Sequence, residues 1–552
     1  MKIKFLKKYN EQDDTYFVDY LNLISHIDNK NILDLREIIN LEIDEWIKDL
    51  IDIKLKILEK ISKNSKYTSL LLINRINLWN SNEKFSIKPL IYYLAINKLK
   101  KEKINLLNAP LDLKNLIKED FENVENEREN SLVFYKNLLK NLLKILYFKK
   151  NFLNIKKINN DSTLIFTSFL NIDLYKKKSD HYFGNMFNSI NQDDILWVYD
   201  DYKKSYLDKK NNYINILELV SVKNILLAFI ENIIIRIKNK NILNDNSKIS
   251  NGNMSSKYFY LKMINELIIN DILILEIALH KSLNKIFKDK KIEIYYPYEE
   301  KPIERAILLA SKNKNIICNA YAHAVYSKGH FYMQRDVRDK SPRPNRLLVS
   351  GPYSQKLFLK FGVSSDELVI VGSPRYNIQK SPYQKSKKIK LLLMVGHGFE
   401  FIIFSSWLVT NPSLSVDYEI IIRRYPYGWF KEQDHAENIL KKNVINYSLG
   451  TDSLNHDVNN SDIILFESTS AAFEGGLMGK LILKINISDI IKTVHFEDNI
   501  KNPIDYCKNP DELIIKLKEY QLMTEEQINE KIIAQRLYLE NYYQKFNPNI
   551  IL

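Results

Sequence analysis

Cysteine and glycine are both scarce in this chain of 552 residues, which has 2 cysteines and 13 glycines. Cys318 and Cys507 form no CxxC pair, so the sequence predicts neither a disulfide scaffold nor a cysteine-rich zinc site. This cysteine usage fits a reducing cytoplasm. Scarce glycine beside abundant Asn, Ile and Lys is typical of A/T-rich codon usage, so surface lysine alone has little functional meaning.

The sequence also lacks long uninterrupted apolar runs. Residues 224–237 form one of the most apolar stretches, but Glu231, Asn232 and Arg236 interrupt it. We therefore expect no membrane span. The first residues, MKIKFLKKYNEQDD, have no sustained apolar region, and we expect no secretory signal. The predicted location is cytoplasmic, and Lys-rich helices leave peripheral contact with the inner membrane open.

Basic residues outnumber acidic ones, at 81 against 67, which gives a formal net charge of +14. This balance fits nucleic acid, an anionic membrane surface or a phosphorylated substrate as partner. However, the chain has no concentrated basic arm, no RNP-like aromatic motif and no zinc-finger spacing. We therefore predict that nucleic acid is not a partner.

The pattern of apolar residues changes along the chain, and its length favours at least two domains. Residues 1–157 are predicted to be a helix-rich region, because apolar residues recur there at threes and fours. Strands and helices alternate in residues 158–378 and again in 379–552, with QKSPYQKSKK as linker, which is typical of parallel sheets. The predicted fold class is α/β, with two Rossmann-like domains facing a ligand-binding cleft.

Short apolar and β-branched segments locate the strands of both domains. Strands are predicted at residues 163–167, 195–199, 292–296, 316–318, 347–349, 369–371, 391–395, 419–422, 463–466 and 481–485. Helices are predicted at residues 214–240, 258–288 and 471–478, and KKKSDHYFGNMFNSI as a loop followed by a helix.

In the first domain, candidate acid–base residues follow two predicted strands. Glu299 and Glu300 come just after one strand, where a carboxylate can take a proton from a sugar hydroxyl or attack an anomeric carbon. A solvated charged helix start explains these residues equally well. His323 follows the next strand and can act as an acid or base, although a purely structural histidine explains it too.

In the second domain, two turns offer donors for phosphate. Gly396, His397 and Gly398 form the first turn, where glycines permit close approach of the backbone to a ligand. The spacing matches neither GxGxxG nor the P-loop, so neither a dinucleotide nor an ATP site is predicted. Arg423 and Arg424 follow the next strand and can bind phosphate or form ion pairs.

Three hydroxyl residues stand where a predicted strand becomes a helix. Ser468, Thr469 and Ser470 can donate to an anion at the helix start, where backbone N–H groups lack partners. Their commonest role, however, is simply to cap the helix. Glu474, about one turn into the helix, can bind ribose hydroxyls.

Four segments together resemble a family of bacterial surface-carbohydrate biosynthesis enzymes. These are GT-B glycosyltransferases similar to those that use CMP-activated Kdo or sialic-type sugars. SDHYFGNMFNSI extends the resemblance upstream, so that it covers most of the chain. The segments are YYPYEEKPIERAILLA, the YAHA turn, RLLVSGPYSQKLFLKFGVSSDELVIVGSPRY and DIILFESTSAAFEGGLMGKLILKI.

The resemblance implies two Rossmann-like domains, a nucleotide in the C-terminal one, no metal and no cofactor. In CMP-sialic-type relatives a His-Pro pair commonly contacts the nucleotide, and here Tyr425 and Pro426 take its place. A Gln-His pair expected in the first domain is replaced by Tyr321-Ala322-His323. Pro426 thereby joins the two arginines and the hydroxyls among the predicted nucleotide-binding residues.

The predicted function is transfer of an acidic sugar, Kdo or another nonulosonic acid, from a CMP-activated donor to a surface glycan such as capsule or O-antigen. Glu299 is the first candidate for the catalytic carboxylate, Glu300 the second, and His323 would assist proton transfer. The predicted partners are a nucleotide sugar and a glycan or lipid-linked glycan acceptor. Two alternatives stay open: a CDP-glycerol-type polyol-phosphate transferase and a non-catalytic glycan- or nucleotide-binding subunit.

Overall fold

A computed structural model gives the fold of most of the chain after residue 130 and of short segments before it. The described residues are 2–4, 15–19, 32–34, 52–53, 105–107, 131–152, 158–167, 180, 182–200, 212–239, 273–326, 330, 333–335, 342–374, 386–396, 398–425, 430–451, 453–485 and 502–551. Within them, no helix is both long and apolar enough to cross a membrane.

The N-terminal region contains a small parallel sheet as well as a helix. Its strands, β1 to β4, lie in the order β3-β2-β1-β4. They are Lys2–Lys4, Thr15–Asp19, Ile32–Asp34 and Asn105–Leu107. Helix α1, Ser131–Lys149, follows. The helix-rich prediction for residues 1–157 stays a prediction, because most of these residues lie outside the described ones. The four strands were not predicted, because strands of 3 to 5 residues are too short to register in a helical spacing pattern.

A seven-stranded sheet occupies the next part of the chain, and all its strand pairs are parallel. Its order is β11-β10-β9-β8-β5-β6-β7, so β8 is the central strand. Alternate residues of each strand enter different apolar cores, as Leu164 and Ile165 do, so both faces are covered. The strands β5 to β11 are Thr163–Thr167, Ile195–Tyr199, Tyr213–Asn215, Ile292–Pro297, Ile316–Ala322, Arg346–Val349 and Leu368–Ile370.

Among the described residues of this unit, four helices accompany the sheet: α2 Val222–Asn239, α3 Ile274–Ile286, α4 Pro302–Ser311 and α5 Pro352–Lys360. The predicted helix over residues 214–240 begins too early, since residues 213–215 pair with β6 as β7 and a 3-10 turn follows. The predicted helix in KKKSDHYFGNMFNSI is also wrong over its described residues, which form turns. Asp180 holds that loop by accepting the N–H groups of Tyr182 and Phe183.

The second large sheet has six parallel strands in the order β14-β13-β12-β15-β16-β17. Strands β12 to β17 are Lys390–Met394, Glu419–Arg423, Ser448–Leu449, Ile463–Phe466, Leu481–Ile485 and Asp505–Cys507. Its helices α6 to α12 are Gly398–Thr410, Ser413–Asp417, Phe430–Lys442, Leu454–Asn459, Ala471–Leu477, Pro510–Leu522 and Glu525–Leu539.

The predicted α/β class with two parallel sheets is confirmed by this topology. Each large sheet lies within one of the predicted ranges, 158–378 and 379–552. The boundaries themselves stay predictions, because residues 153–157 and most of the linker, 379–385, lie outside the described residues. The cleft between the domains also stays a prediction.

The segment after α12 returns to the first sheet. The N–H of Gln544 donates to the carbonyl oxygen of Ser350 at 2.9 Å, and the N–H of Ser373 donates to the carbonyl of Gln544 at 2.9 Å. Further along, the N–H of Asn547 donates to the carbonyl of Val371 at 2.9 Å. The last residues therefore cross the carboxyl ends of β10 and β11 and connect the two α/β units.

Candidate active site

Two candidate catalytic residues lie side by side at the carboxyl edge of the first sheet. Glu299 follows β8 and His323 follows β9, and these strands pair as parallel neighbours up to Pro297 and Tyr321. The imidazole Nε2 of His323 is 4.0 Å from Oε1 of Glu299, with the side chains 12% and 20% exposed. The structure therefore brings together the carboxylate and the histidine that the sequence places at separate strand ends.

Lys301 supplies a positive charge to the same carboxylate. Its ammonium forms an ion pair with Oε2 of Glu299. Burial lowers the pKa of Lys301, but attraction and hydrogen bonding to Glu299 outweigh burial and leave that pKa raised. Asp200, which follows β6, raises the pKa further, so a third strand end contributes charge to the site. The site therefore pairs the Glu299 carboxylate with an ammonium group.

Glu304 lies beneath this turn, in the first turn of α4, and only 5% of the residue is exposed. Its oxygens accept the backbone N–H of Glu299 at 3.1 and 3.3 Å. Burial, and then the nearby Glu299 carboxylate, raise the pKa of Glu304 well above its usual value. The sequence places Glu304 in the same segment but assigns it no role, because its burial depends on tertiary packing.

Glu300 is directed to a different partner. Its backbone has φ 56°, in the left-handed region that residues other than glycine seldom adopt. Its carboxylate forms an ion pair with Arg305, whose second nitrogen donates to the carbonyl oxygen of Pro342 at 3.2 Å. The structure thus distinguishes the two adjacent glutamates, with Glu299 beside His323 and Glu300 tied to α4.

The loop after β5 that contains Tyr182 packs against His323. The rings of Tyr182 and His323 meet edge to face at 4.5 Å between centroids. Tyr182 is held by Asp180, which also accepts the hydroxyl of Thr167 at the end of β5 at 2.9 Å. This packing fixes the plane of the imidazole beside Glu299.

In the second sheet, a buried carboxylate joins two of the predicted phosphate-binding turns. Glu400, which is 2% exposed, accepts the N–H of Gly396 at 2.8 Å and the hydroxyl of Ser468. These turns follow the neighbouring strands β12 and β15. A Cβ at Gly396 would collide with Oγ of Ser468, so a side chain there would displace the Ser468 hydroxyl from this position. Sequence analysis did not identify Glu400, because its role depends on contacts with turns that follow two different strands.

The three hydroxyls after β15 have different surroundings. The hydroxyl of Ser468 donates to Glu400, whereas Oγ1 of Thr469 accepts the N–H of Ala471 at 3.2 Å, as a capping residue does. Ser470 is the N-cap of α10 by position, but its side chain makes no capping hydrogen bond. Glu474 lies half-buried within α10. Thr469 thus fits the capping alternative, and a phosphate role for the hydroxyls and for Glu474 stays a prediction.

Helix α10 is short, at 7 residues, and is held closely against its neighbours. A Cβ at Gly475 would meet the side chain of Ile464 in β15, and one at Gly476 would meet Leu539 in α12. The glycines therefore set the position of the turn that bears the hydroxyls. A helix this short adds little dipole to an anion site.

Both predicted arginines have carboxylate partners. Arg423 pairs with the buried Asp457 at 2.5 Å. Arg424 pairs with Glu437 at 2.7 Å and with Asp434 at 2.8 Å. The ion-pair alternative left open by the sequence is therefore what the structure shows, and phosphate binding by either guanidinium stays a prediction.

Two predicted residues, His397 and Pro426, lie outside the described residues. Gly398 begins α6 directly after the first of them. Tyr425, directly before the second, has its N–H bonded to the Gln433 side chain at 2.8 Å. Among the described parts of the chain, no group of three His, Cys, Asp or Glu side chains could hold a metal ion.

No protein-family profile and no curated protein sequence matches the chain. Solved structures resemble parts of it at low similarity. A TarM variant from S. aureus, in complex with fondaparinux, alpha-GlcNAc-glycerol and UDP, aligns at 13% identity and a TM-score of 0.34, over 52% of this chain and 59% of TarM. HepE from Anabaena, in complex with UDP and glucose, aligns at 9% identity and a TM-score of 0.40, over 71% and 97% of the two chains. A glycosyltransferase from Rickettsia africae aligns at 11% identity and a TM-score of 0.41, over 71% and 96%. Similarity this low assigns neither activity nor substrate.

Proposed function

We propose that the chain is a cytoplasmic, metal-independent glycosyltransferase of the GT-B type. It transfers a sugar from a nucleotide-activated donor to a glycan or lipid-linked glycan acceptor. The observation that supports this most directly is the pair of Glu299 and His323, 4.0 Å apart at the carboxyl edge of a parallel sheet. Open α/β sheets bind ligands at this edge.

In this proposal Glu299 acts as the general base. It takes the proton of an acceptor hydroxyl while the acceptor oxygen bonds to the anomeric carbon of the donor. The bond from that carbon to the nucleotide phosphate breaks, and the phosphate leaves with the electron pair. Lys301 is the ion-pair partner of Glu299, and His323 donates to an oxygen of the acceptor or of the leaving phosphate.

The second sheet binds the nucleotide in the same proposal. Two turns at neighbouring strand ends, the Gly396 turn and the Ser468 turn, are joined by Glu400. Backbone N–H groups and hydroxyls at such turns suit a phosphate. The sequence resemblance favours a CMP-activated nonulosonic acid such as Kdo as donor, and a surface polysaccharide such as capsule or O-antigen as product.

Binding of the nucleotide is tested first by thermal unfolding with CMP, CDP, UDP, GDP and ADP. A ligand that binds only the folded protein raises its melting temperature. We expect CMP to give the largest increase, and Ser468→Ala/Thr469→Ala to reduce it. UDP is an informative comparison, because the TarM and HepE structures contain it. A larger increase with UDP would retain the transferase and reject the CMP donor.

Turnover is tested next with CMP-activated nonulosonic acids and with CDP-glycerol. Both donors release CMP, so the product must be identified by the group that is transferred, a sugar or a glycerol phosphate. Transfer of glycerol phosphate alone would replace the proposal with the polyol-phosphate transferase. Nucleotide binding without any transfer, unchanged in Glu299→Gln, would support a non-catalytic binding subunit.

A further inference from the structure

Nearly half of the exposed large apolar side chains in the described part of the chain lie on two helices, α1 and α2. On α1 they reach 60% exposure at Tyr147, and on α2 they reach 60% at Ile237. We name them the α1–α2 surface. Its members are Tyr135, Leu139, Leu143 and Tyr147 on α1, and Val222, Leu226, Leu227, Ile230, Ile234 and Ile237 on α2.

The surface is a regular feature of each helix. On α1 the exposed apolar residues recur at every fourth position, while Leu138, Leu142 and Ile145 are buried on the opposite side. Helices α1 and α2 contact each other, and both contact α3. The two exposed faces therefore belong to neighbouring helices of one layer. Apolar exposure on this scale usually marks an interaction site.

Positive charge accompanies the apolar stripe. Three lysines are exposed on α1, and each directly follows a member of the α1–α2 surface: Lys136, Lys140 and Lys144. Helix α1 contains no acidic residue. Lys150, just beyond the helix, has its ammonium 4.1 Å from the centroid of the Tyr147 ring. On α2 the single acidic residue, Glu231, forms an ion pair with Lys281 at 2.5 Å. The surface is thus apolar and cationic.

We propose that the α1–α2 surface docks on an anionic membrane surface. Its apolar side chains would enter the headgroup boundary, and the lysines would contact acidic lipid headgroups. A second copy of the chain is a poorer occupant, because a two-fold contact would bring the α1 lysines of both copies together in a desolvated interface. The proposal is independent of the transferase activity, although a lipid-linked acceptor would suit it.

Sedimentation of the full chain with lipid vesicles tests the proposal. We expect binding to vesicles of phosphatidylcholine with phosphatidylglycerol, little binding to phosphatidylcholine alone, and weaker binding at high salt because charge is screened. Leu139→Glu/Leu143→Glu should weaken binding by more than about tenfold, since it removes apolar contact and adds negative charge. Lys136→Gln/Lys140→Gln/Lys144→Gln should weaken binding to anionic vesicles selectively.

A matched control lies on α11, where Ile515 is 58% exposed, as Leu143 is, and Leu522 is 87% exposed. Ile515→Glu/Leu522→Glu should bind vesicles like the unmodified chain. Melting temperatures verify that every variant is folded. Equal binding by the α1 variant and the control, or no binding by the unmodified chain, would overturn the proposal. So would a dimer in light scattering that Leu139→Glu/Leu143→Glu converts to a monomer without any vesicle binding.

Discussion

At the scale of single residues, we expect different effects on turnover from changing the two adjacent glutamates after β8, Glu299 and Glu300. Glu299→Gln keeps the shape of the side chain but removes the base beside His323. We expect it to lower kcat by about 10²–10⁴, the usual contribution of general acid–base catalysis, with nucleotide stabilisation unchanged. Release of CMP from donor, measured with saturating acceptor, gives kcat.

Glu300→Gln is the control for that prediction. Its carboxylate pairs with Arg305 rather than with the histidine, so we expect a lower melting temperature and a much smaller loss of kcat. If Glu300→Gln abolished turnover in a normally folded protein while Glu299→Gln remained active, the assignment of the base would be reversed.

The buried Glu304 carboxyl should make the stability of the folded chain depend on pH. Because the folded state raises its pKa, folding favours the protonated form. Its contribution to stability is complete below the ordinary pKa near 4.5 and is lost as the pH rises toward the folded pKa. Gln cannot ionise, so the melting temperature of Glu304→Gln should rise relative to that of the unmodified chain as the pH increases above 4.5.

Melting temperatures of Glu304→Gln and of the unmodified chain are measured over the same range of pH. Parallel profiles for Glu304→Gln and the unmodified chain would show that Glu304 does not titrate differently in the folded state.

The sequence was sufficient to predict some of these residues but not others. Glu299 and His323 could be found because each follows an apolar run that predicts a strand, and parallel strands bring their ends to one edge. Glu304 and Glu400 could not, because their significance comes from burial and from N–H groups in other turns. The ion pairs of Arg423 and Arg424 likewise depend on helices that follow much later in the chain.

At the scale of elements, prediction beyond residue 158 succeeded where at least three apolar residues run together, as in the 3-residue β11, and failed for strands without such a run. All ten strands predicted after residue 158 are present, with ends shifted by a few residues. Strands β7, β14 and β17 have only 2 or 3 residues and were missed. All three are edge strands whose existence depends on pairing to a longer neighbour, and local sequence contains little of that information.

Glu400 joins the Gly396 and Ser468 turns, so removal of its side chain should disturb both turns. Glu400→Ala would leave the N–H of Gly396 and the hydroxyl of Ser468 without their acceptor, so we expect a loss of about 1–3 kcal/mol in the free energy of unfolding. It should also reduce stabilisation by nucleotide. Ser470→Ala is the matched change, because that side chain makes no capping bond, and it should cost less than about 0.5 kcal/mol.

Chemical denaturation measures the two costs, and thermal shift measures nucleotide binding. Similar costs for the two variants would mean that Glu400 does not hold the turns together. If Glu400→Ala were as stable as the unmodified chain and nucleotide raised its melting temperature equally, the Ser468 turn would be removed from the proposed nucleotide site.

At the scale of the whole molecule, the segment after α12 couples the two α/β units. Gly372 has φ 81°, and a Cβ there would collide with the carbonyl of Lys545 in that segment. Gly362 also has a positive φ, 79°, but its Cβ would meet the carbonyl of Arg335, within the first unit. The two glycines therefore have a similar backbone conformation, which would strain any other residue, and different neighbours.

The cost in stability of an alanine at Gly372 should therefore depend on the segment after α12, whereas the cost of an alanine at Gly362 should not. In the full chain, Gly372→Ala and Gly362→Ala should each destabilise by about 1–3 kcal/mol, because both add a Cβ at positive φ and a steric collision. In a chain ending at residue 540, the collision at Gly372 disappears and only the backbone strain remains. Gly372→Ala should therefore cost less in the shortened chain than in the full chain, whereas Gly362→Ala should cost the same in both. Calorimetry of the six proteins measures these differences, and an equal cost of Gly372→Ala in both lengths would mean that the segment does not press on the first sheet in solution.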